Sequence, residues 1–575
     1  MTNCSKRERR LGLSWFAVCV IGLSGCDRQE KTVSNPAAAV SQLAGHQSMF
    51  RFGDVTTVSG VKSQYENGEA AQEYSIVESL GGGLGALDFD RDGRTDLIFP
   101  GGGIIEHDQP LRGLPTTLWR KLDQTSFEFE DVTAAASVPP PSHYSHGCAI
   151  ADVDNDGFAD VLITGYGGLQ LLHNQGDGTF VRITEAANLL DDSWSSSAAW
   201  GDFNEDGCLD LYIAHYVNWS WENNPRCPTT TPGVFDVCTP NDFDALPHEV
   251  YFSNGDGTYR AGGRESGLNQ GGKGLGVAVV DVNGDKHVDI YVANDTTSNF
   301  LYLNDGSGTF QDAGLISGTA LDGSGTPNGS MGIAVLDYNL DLMPDLWVTN
   351  YENETYALYE NGGDARFLWA TDRVGLNVLG HMFVGFGTVS GDLDLDGDED
   401  LVVANGHVML HPAQSRTAQQ CVVLANSLVG TSRRLVRQNF DADNYLDQFH
   451  RGRGLVACDL DRDGDLDLAF SNVREPAAVL LNETPTAGKQ LSVELVGKQS
   501  NRDAIGARAV LHTNANQYVR FVVGGGSYLS QNVYTLNWGI PAGEHVTKLE
   551  ITWPNSTVQI ITQLSLSEPN MVRQP

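Results

Sequence analysis

The chain has 575 residues, of which 41% are hydrophobic and 65 are glycine, a composition that excludes a disordered chain and favours turn-rich β architecture over helical bundles. With 36 Lys and Arg against 73 Asp and Glu, its formal charge is −37, which excludes duplex nucleic acid as a partner and leaves a membrane only a non-electrostatic route of attachment. The length calls for about two to four domains.

The first element is a targeting segment. Lys6, Arg7, Arg9 and Arg10 form a basic start, and an apolar stretch runs from Leu11 to Leu23. That stretch is too short for a permanent membrane helix and reads as the core of a signal peptide. It ends in Leu23-Ser24-Gly25-Cys26, which resembles the bacterial lipobox. The expectation is a lipoprotein signal peptide over 1–25, lipidation at Cys26 and a linker over 26–48. Removal of residues 1–25 takes away four basic and one acidic residue and brings the charge to −40.

A nine-residue acidic pattern then recurs seven times. It starts at Asp88, Asp152, Asp202, Asp281, Asp337, Asp392 and Asp459, at intervals of 64, 50, 79, 56, 55 and 67 residues. Five residues ahead of each start stands a small residue: Gly83, Gly147, Ser197, Gly276, Gly332, Gly387 and Gly454. A β-branched or aromatic run follows each loop, and several units continue with an aliphatic pair, an Asn and a Gly-rich turn, as in 171–180, 250–259 and 301–310. Such turns between strand-like runs signal hairpins. Each unit therefore reads as four short strands, the size of a propeller blade. The small-residue column suits an innermost strand crowded near an axis. The spacing predicts an all-β fold with a seven-bladed β-propeller over 49–484. Phe52-Gly53-Asp54-Val55-Thr56 resembles the strand that the last unit lacks, so the N-terminal segment is expected to complete the final blade. Residues 485–575 lack the acidic pattern, alternate like strands and read as a separate small β-domain.

The acidic loops carry the chemistry. Positions 1, 3, 5 and 9 are Asp88, Asp90, Asp92 and Asp96 in the first, and Asp152, Asp154, Asp156 and Asp160 in the second. They are Asp202, Asn204, Asp206 and Asp210, then Asp281, Asn283, Asp285 and Asp289, then Asp337, Asn339, Asp341 and Asp345. The last two loops carry Asp392, Asp394, Asp396 and Asp400, and Asp459, Asp461, Asp463 and Asp467. Alternate side chains of a tight turn converge, a Gly at position 6 permits the bend, and position 9 closes the cage. All-oxygen ligation by several carboxylates suits Ca2+, up to seven ions, and folding coupled to their binding. The loops at Asp281 and Asp337 have Lys286 and Leu342 at position 6, and the second of these is the one expected to stay empty.

The loops and their flanks resemble the FG-GAP/VCBS repeats of the integrin α-subunit propeller. Asn501-Arg502, Ile505-Gly506-Ala507-Arg508, residues 524–531 and Trp553-Pro554-Asn555 resemble the ASPIC/UnbV domain, with Asn537-Trp538-Gly539-Ile540 standing where that family carries Phe-Gly-Leu-Gly. Together they resemble the cartilage acidic protein family in its bacterial form, which implies a calcium-loaded, extracytoplasmic binding protein.

No enzyme motif is found, so no catalytic residue is assigned. Strand geometry sends one set of polar residues to the mouth opposite the acidic loops, with His146, His215, His381, His407, Asn294 and Asn405 as candidate ligand-binding groups. Tyr216, Trp219 and Trp221 in the insertion 216–248 can stack on sugars. The six cysteines of the mature core permit three disulfides, and Cys227 with Cys238 is the expected pair; Cys148, Cys208, Cys421 and Cys458 are left open. Two functions follow as expectations. One is a lipid-anchored protein of the cell envelope, periplasmic or cell-surface, that adheres to an extracellular glycan or protein and touches the membrane only through its anchor. The other is a calcium-dependent carbohydrate-active enzyme, polysaccharide lyase-like, acting at the channel mouth.

Overall fold

The computed structural model describes residues 48–123, 127–379 and 382–575. The signal segment, Cys26 and the linker as far as residue 47 lie outside these residues, and so does His381. No helix among the described residues is long and apolar enough to cross a membrane.

Seven antiparallel sheets follow one another along the chain, six of four strands and the fourth of five, its fifth strand coming from Gly524–Gly525. In the first, Gly85–Leu87, Asp96–Phe99, Thr117–Lys121 and Phe129–Asp131 pair in order. The innermost strands of the next five sheets are Tyr144–Ala151, Ser195–Gly201, Gly274–Val280, Ile333–Leu336 and Gly385–Gly391. The seventh sheet contains Gly452–Cys458, Asp467–Asn472 and Ala478–Asn482. Its outer strand is Phe52–Asp54 from the other end of the chain, with Phe52 opposite Asn482 and Asp54 opposite Leu480. The N-terminal segment therefore completes the last sheet, as its resemblance to Phe129-Glu130-Asp131-Val132-Thr133 suggested.

In every sheet the second strand begins at the ninth residue of the acidic loop: Asp96, Asp160, Asp210, Asp289, Asp345, Asp400 and Asp467. All seven loops thus join a first strand to a second. The first strands lie side by side in chain order, and that of the seventh sheet meets that of the first. This closed succession of antiparallel sheets is consistent with a β-propeller. The connections between second and third strands, including 216–248 and 406–421, leave from the other face.

Residues 489–573 add two further sheets. One pairs Lys489–Val496 with Leu536–Ile540 and, in parallel, with Asn570–Arg573. The other orders Gln517–Phe521, Arg508–Thr513, Val546–Thr552 and Val558–Ile561. Their Leu491, Trp538, Ile551 and Trp553 belong to one continuous apolar core with Leu162, Trp200 and Ile213 of the ring.

This C-terminal part covers the face that carries the acidic loops. Arg502 lies 3.1 Å from Asp152, Arg508 donates to the Leu342 carbonyl, and Thr486 donates to the Asp394 carbonyl. From it the segment Gly524–Tyr534 runs along the ring axis. Gly524 and Gly525 pair with Val279 and Ala278 of the fourth sheet. Ser527 exchanges backbone hydrogen bonds with Ile333, and its hydroxyl donates to the Leu455 carbonyl while accepting from the Thr388 amide. The Leu529 carbonyl accepts from the Cys148 amide, Gln531 exchanges bonds with Leu84 and Ala86, and the Asn532 side chain accepts from the Ala457 amide. Six of the seven innermost strands are bonded to this one segment. Tyr528 and Leu529 at its tip are 0% and 1% exposed, packed among Tyr65, Tyr216 and Phe386.

The small-residue column now has a physical cause. A Cβ on Gly83 would stand 1.9 Å from the Leu529 carbonyl oxygen, and one on Gly147 would stand 2.5 Å from the same oxygen. At these two positions a second piece of chain occupies the axis, whereas at Gly276, Gly332 and Gly387 the obstacle is the backbone in or next to the adjoining inner strand, at Met331, Phe386 and Arg453.

Candidate metal-binding face

The seven loops share one backbone course. Position 4 is left-handed in all of them: Arg91, Asn155, Glu205, Gly284, Leu340, Leu395 and Arg462 have φ between 57° and 79°. Position 6 is left-handed too, at Gly in five loops and at Lys286 and Leu342 with φ of 80° and 69°. The two loops without the Gly therefore adopt the same turn at a cost, since a left-handed L-residue is disfavoured by about 1–2 kcal/mol. Lys286 is exposed, so relief of that strain is separable from packing. Lys286→Gly is expected to raise stability by about 0.5–1 kcal/mol, read by denaturant unfolding. No gain would mean that the Lys286 side chain compensates its own backbone.

Side chains fix the turn through the backbone amides. In six loops the first Asp accepts from the amide of position 6, as Asp88 does from Gly93 at 2.8 Å and Asp152 from Gly157 at 2.7 Å. The fifth accepts from the amide of position 7, as in Asp92 with Arg94 and Asp206 with Cys208. The ninth is bound on both oxygens in every loop. One oxygen accepts from the amide of position 2 and the other from the third strand, as Asp160 does from Val153 at 3.2 Å and Asn174 at 2.8 Å. Position 9 is thus a structural anchor as well as a ligand candidate, a role the spacing alone did not reveal.

These bonds leave carboxylate oxygens converging on common points. Asp88, Asp90 and Asp96 offer ligand atoms within 4.8 Å of one another, as do Asp152, Asp154 and Asp156, and Asp392, Asp394 and Asp400. Such Asp-rich groups can hold metal ions. Asp152 Oδ1, Asp394 Oδ1, Asp459 Oδ1 and Asp465 Oδ1 are buried without a hydrogen-bond partner. A buried carboxylate oxygen without a partner costs free energy that a hard cation would recover, so the residues fit an oxygen-liganded metal. Electrostatics agree. Burial and neighbouring carboxylates push Asp88 to about 6, Asp337 and Asp459 to about 7, and Asp152 to about 8. The 25 carboxylates at positions 1, 3, 5 and 9 are held in seven turns.

A second recurring group was visible in the sequence only as part of a hairpin. Asn174, Asn304, Asn361 and Asn482, which close their third strands, and Asn426, inside its own, donate to the carbonyls of Phe89, Phe203, Val282, Leu393 and Tyr338 in turn. Each acceptor is position 2 of the preceding sheet's loop. The Asn of the aliphatic-pair motif therefore staples one acidic loop to the next.

The candidate ligand-binding groups on the opposite face are placed differently from the expectation. His146 is 0% exposed, accepts from Trp194 Nε1 at 2.8 Å and meets the Tyr65 hydroxyl at 3.1 Å; burial pushes it down to about 3. His215 lies 2.8 Å from Asp191, and His407 lies 3.3 Å from Glu352. Asn294 donates to the Ser298 carbonyl, and Asn405 accepts from the Tyr356 hydroxyl. All five are buried, and Tyr528 and Leu529 are buried in the apolar cluster at the axis. They brace a packed interior and do not ring an open mouth. Tyr216 and Trp219 are buried as well, whereas Trp221 is partly exposed. The Cys227–Cys238 disulfide forms, and Cys148, Cys208, Cys421 and Cys458 are free thiols.

Fold and loops define a ring of β-sheet repeats with an acidic, metal-competent face capped by its own C-terminal part. The comparisons bear on the repeats and on the C-terminal part. Residues 152–213 and 281–348 match the FG-GAP-like repeat, and residues 497–575 match the ASPIC and UnbV model. Cartilage acidic protein 1 of Xenopus tropicalis is 24% identical over 490 residues, covering 73% of this chain and 71% of that protein. The mouse protein is 24% identical over 483 residues, covering 72% and 71%. The chain carries FG-GAP-like repeats followed by an ASPIC/UnbV domain, and it is distantly homologous to cartilage acidic protein 1. Among solved structures, an Agrocybe aegerita lectin that recognises non-reducing terminal N-acetylglucosamine is similar at 16% identity and a TM-score of 0.38, over 69% of this chain and 87% of that one. A likeness that loose carries no argument.

Proposed function

We propose that the protein is an exported, lipid-anchored, seven-bladed β-propeller that holds Ca2+ in its acidic loops and binds an extracellular glycan or protein. Ca2+ in these turns neutralises clustered carboxylates and stiffens the links between blades. The C-terminal part covers that face, so ligand is received on the opposite one.

The observation that carries the binding reading is a patch of partly exposed aromatic and charged side chains where the insertions meet. Trp221 lies edge-on to His107 at 5.6 Å and donates to the Gln109 carbonyl. Tyr74 lies 6.4 Å from Phe235, whose ring is faced by Arg226 at 5.8 Å. Glu73 pairs with both His107 and Arg226. Aromatic faces beside charged hydrogen-bonding groups suit a sugar ring or an extended peptide. The disulfide that closes the insertion holds Phe235 and Arg226 in place.

The test is retention on an array of polysaccharides and matrix proteins in the presence of Ca2+. Retention is expected without cleavage, and Trp221→Ala with Tyr74→Ala is expected to weaken it at least tenfold at an unchanged melting temperature. Retention indifferent to both substitutions would remove this patch from the proposal. Release of unsaturated or reducing sugars would replace binding with catalysis.

A further inference from the structure

Two acidic loops have a histidine beside them: His287, at position 7 of the Asp281 loop, pairs with Glu205, and His173 stands against the Asp152 loop. His173 occupies the third-strand position just before the Asn174 amide that binds Asp160. The equivalent positions are Arg120, Phe252, Leu303, Glu360, Ala425 and Leu481, so at this register only His173 offers a nitrogen lone pair. Its Nδ1 stands 3.1 Å from Asp160 Oδ1 and 3.7 Å from Asp154 Oδ2. Donor atoms around one small divalent cation, with bonds of about 2.1 Å, stand roughly 3.0–3.4 Å apart. Asp154, Asp160 and His173 offer ligand atoms that all fall within 4.8 Å of one another.

A separate observation concerns the same loop. Asp152 is 3% exposed, and its Oδ2 is taken by the Gly157 amide at 2.7 Å and by Arg502 at 3.1 Å. Its Oδ1 is buried with no partner. Asp152 groups with Asp154 and Asp156, so Asp154 belongs to both sets. The C-terminal part fixes this loop further, because the Asp152 amide donates to Asp503 at 2.7 Å and the Arg502 amide donates to Asn155 Oδ1 at 2.8 Å. The result is a held, mixed set of imidazole nitrogen and carboxylate oxygen. Imidazole selects borderline transition-metal cations, whereas all-oxygen sets select Ca2+ and Mg2+.

We propose that the Asp152 loop carries a transition-metal site of the Zn2+ class, liganded by His173 Nδ1 with Asp154 and Asp160. This goes beyond the calcium reading, which assigns every loop the same oxygen chemistry. In the absence of metal the same His173 pairs with Asp160, so the ring is already turned toward the ligand position.

The experiment is calorimetric titration of the full protein with Zn2+ in a large excess of Ca2+, with Co2+ as a spectroscopic probe of nitrogen ligation. One Zn2+ is expected to bind tightly against the Ca2+, and the visible absorption of bound Co2+ is expected to report an imidazole ligand. His173→Ala is expected to weaken Zn2+ at least tenfold and abolish that spectral signature. The side chain is 25% exposed, so its melting temperature in Ca2+ is expected to stay within a degree or two of the parent. Zn2+ binding unchanged in His173→Ala, or no Zn2+ retained against Ca2+, would overturn the proposal. A separate count of Ca2+ by equilibrium dialysis shows independently whether the calcium reading stands.

Discussion

Chelation of divalent cations is expected to lower the melting temperature by roughly 10–30 °C, and to reverse the slope of stability against pH. A ligand held only by the folded state contributes about 2.7 kcal/mol per site at a hundredfold excess over its dissociation constant. Several occupied loops therefore contribute on the order of 10–20 kcal/mol, and a unit of this size moves by roughly 1–2 °C per kcal/mol. The pH dependence follows from the carboxyls. Without metal, burial and crowding raise them in the folded protein to about 6 at Asp88 and Asp202, about 7 at Asp337, Asp396 and Asp459, and about 8 at Asp152 and Asp210. Between about pH 4 and 8 the folded state then binds more protons than the unfolded state, so stability falls as pH rises. The chelated protein should melt higher at pH 5 than at pH 8. His146 opposes this up to about pH 6.5, because burial pushes it down to about 3 and the folded state then binds fewer protons there. With metal bound, protons compete with the cation for the same oxygens, and the loaded protein should melt lower at pH 5 than at pH 8. The measurement is a set of calorimetric melts at both pH values with Ca2+ and with chelator. Parallel pH slopes in the two conditions would show that the loops are hydrogen-bonded turns with no cation to lose.

Which features were legible follows from how locally they are encoded. The acidic loops, the strand starts at position 9 and the closure by Phe52–Asp54 were readable because each repeats within a window of about ten residues. The small column at Gly83, Gly147 and Gly454 reads as crowding, but its cause lies about four hundred residues away in Leu529 for the first two, and in part in Ser530, 76 residues on, for the third. No spacing rule relates the two. The histidines illustrate the same limit from the other side. Strand arithmetic placed His146 and His215 at the correct end of their strands, yet whether that end is open depends on what fills the axis. Tyr528 and Leu529 fill it, and a polar side chain there becomes a buried hydrogen-bonding partner. His173 was missed for a different reason. It lies within a run read only as a hairpin, and its distance from Asp154 and Asp160 depends on strand register.

Gly83→Ala is expected to destabilise the protein by about 3 kcal/mol or more, because the added carbon falls 1.9 Å from the Leu529 carbonyl oxygen and 2.9 Å from Gly147 Cα. Neither obstacle is a flexible side chain. The strand cannot move outward without breaking the bond from the Gly83 amide to the His146 carbonyl, and the axial segment cannot move without losing its bonds to Cys148, Leu84 and Ala86. Ser197 stands in the same column of the third sheet, with which the axial segment makes no hydrogen bond, so Ser197→Ala should cost under about 1 kcal/mol. Leu529→Ala approaches the same contact from the other partner. It empties a fully buried position and should cost about 2–5 kcal/mol. Denaturant unfolding of the three variants measures the coupling directly. If Gly83→Ala costs no more than Ser197→Ala, the axial segment yields readily and the ring holds itself together. If both Gly83→Ala and Leu529→Ala are costly, ring and C-terminal part fold as one cooperative body. In that body the axis is closed, and the proposed recognition falls to the rim where Trp221, His107 and Arg226 reach solvent.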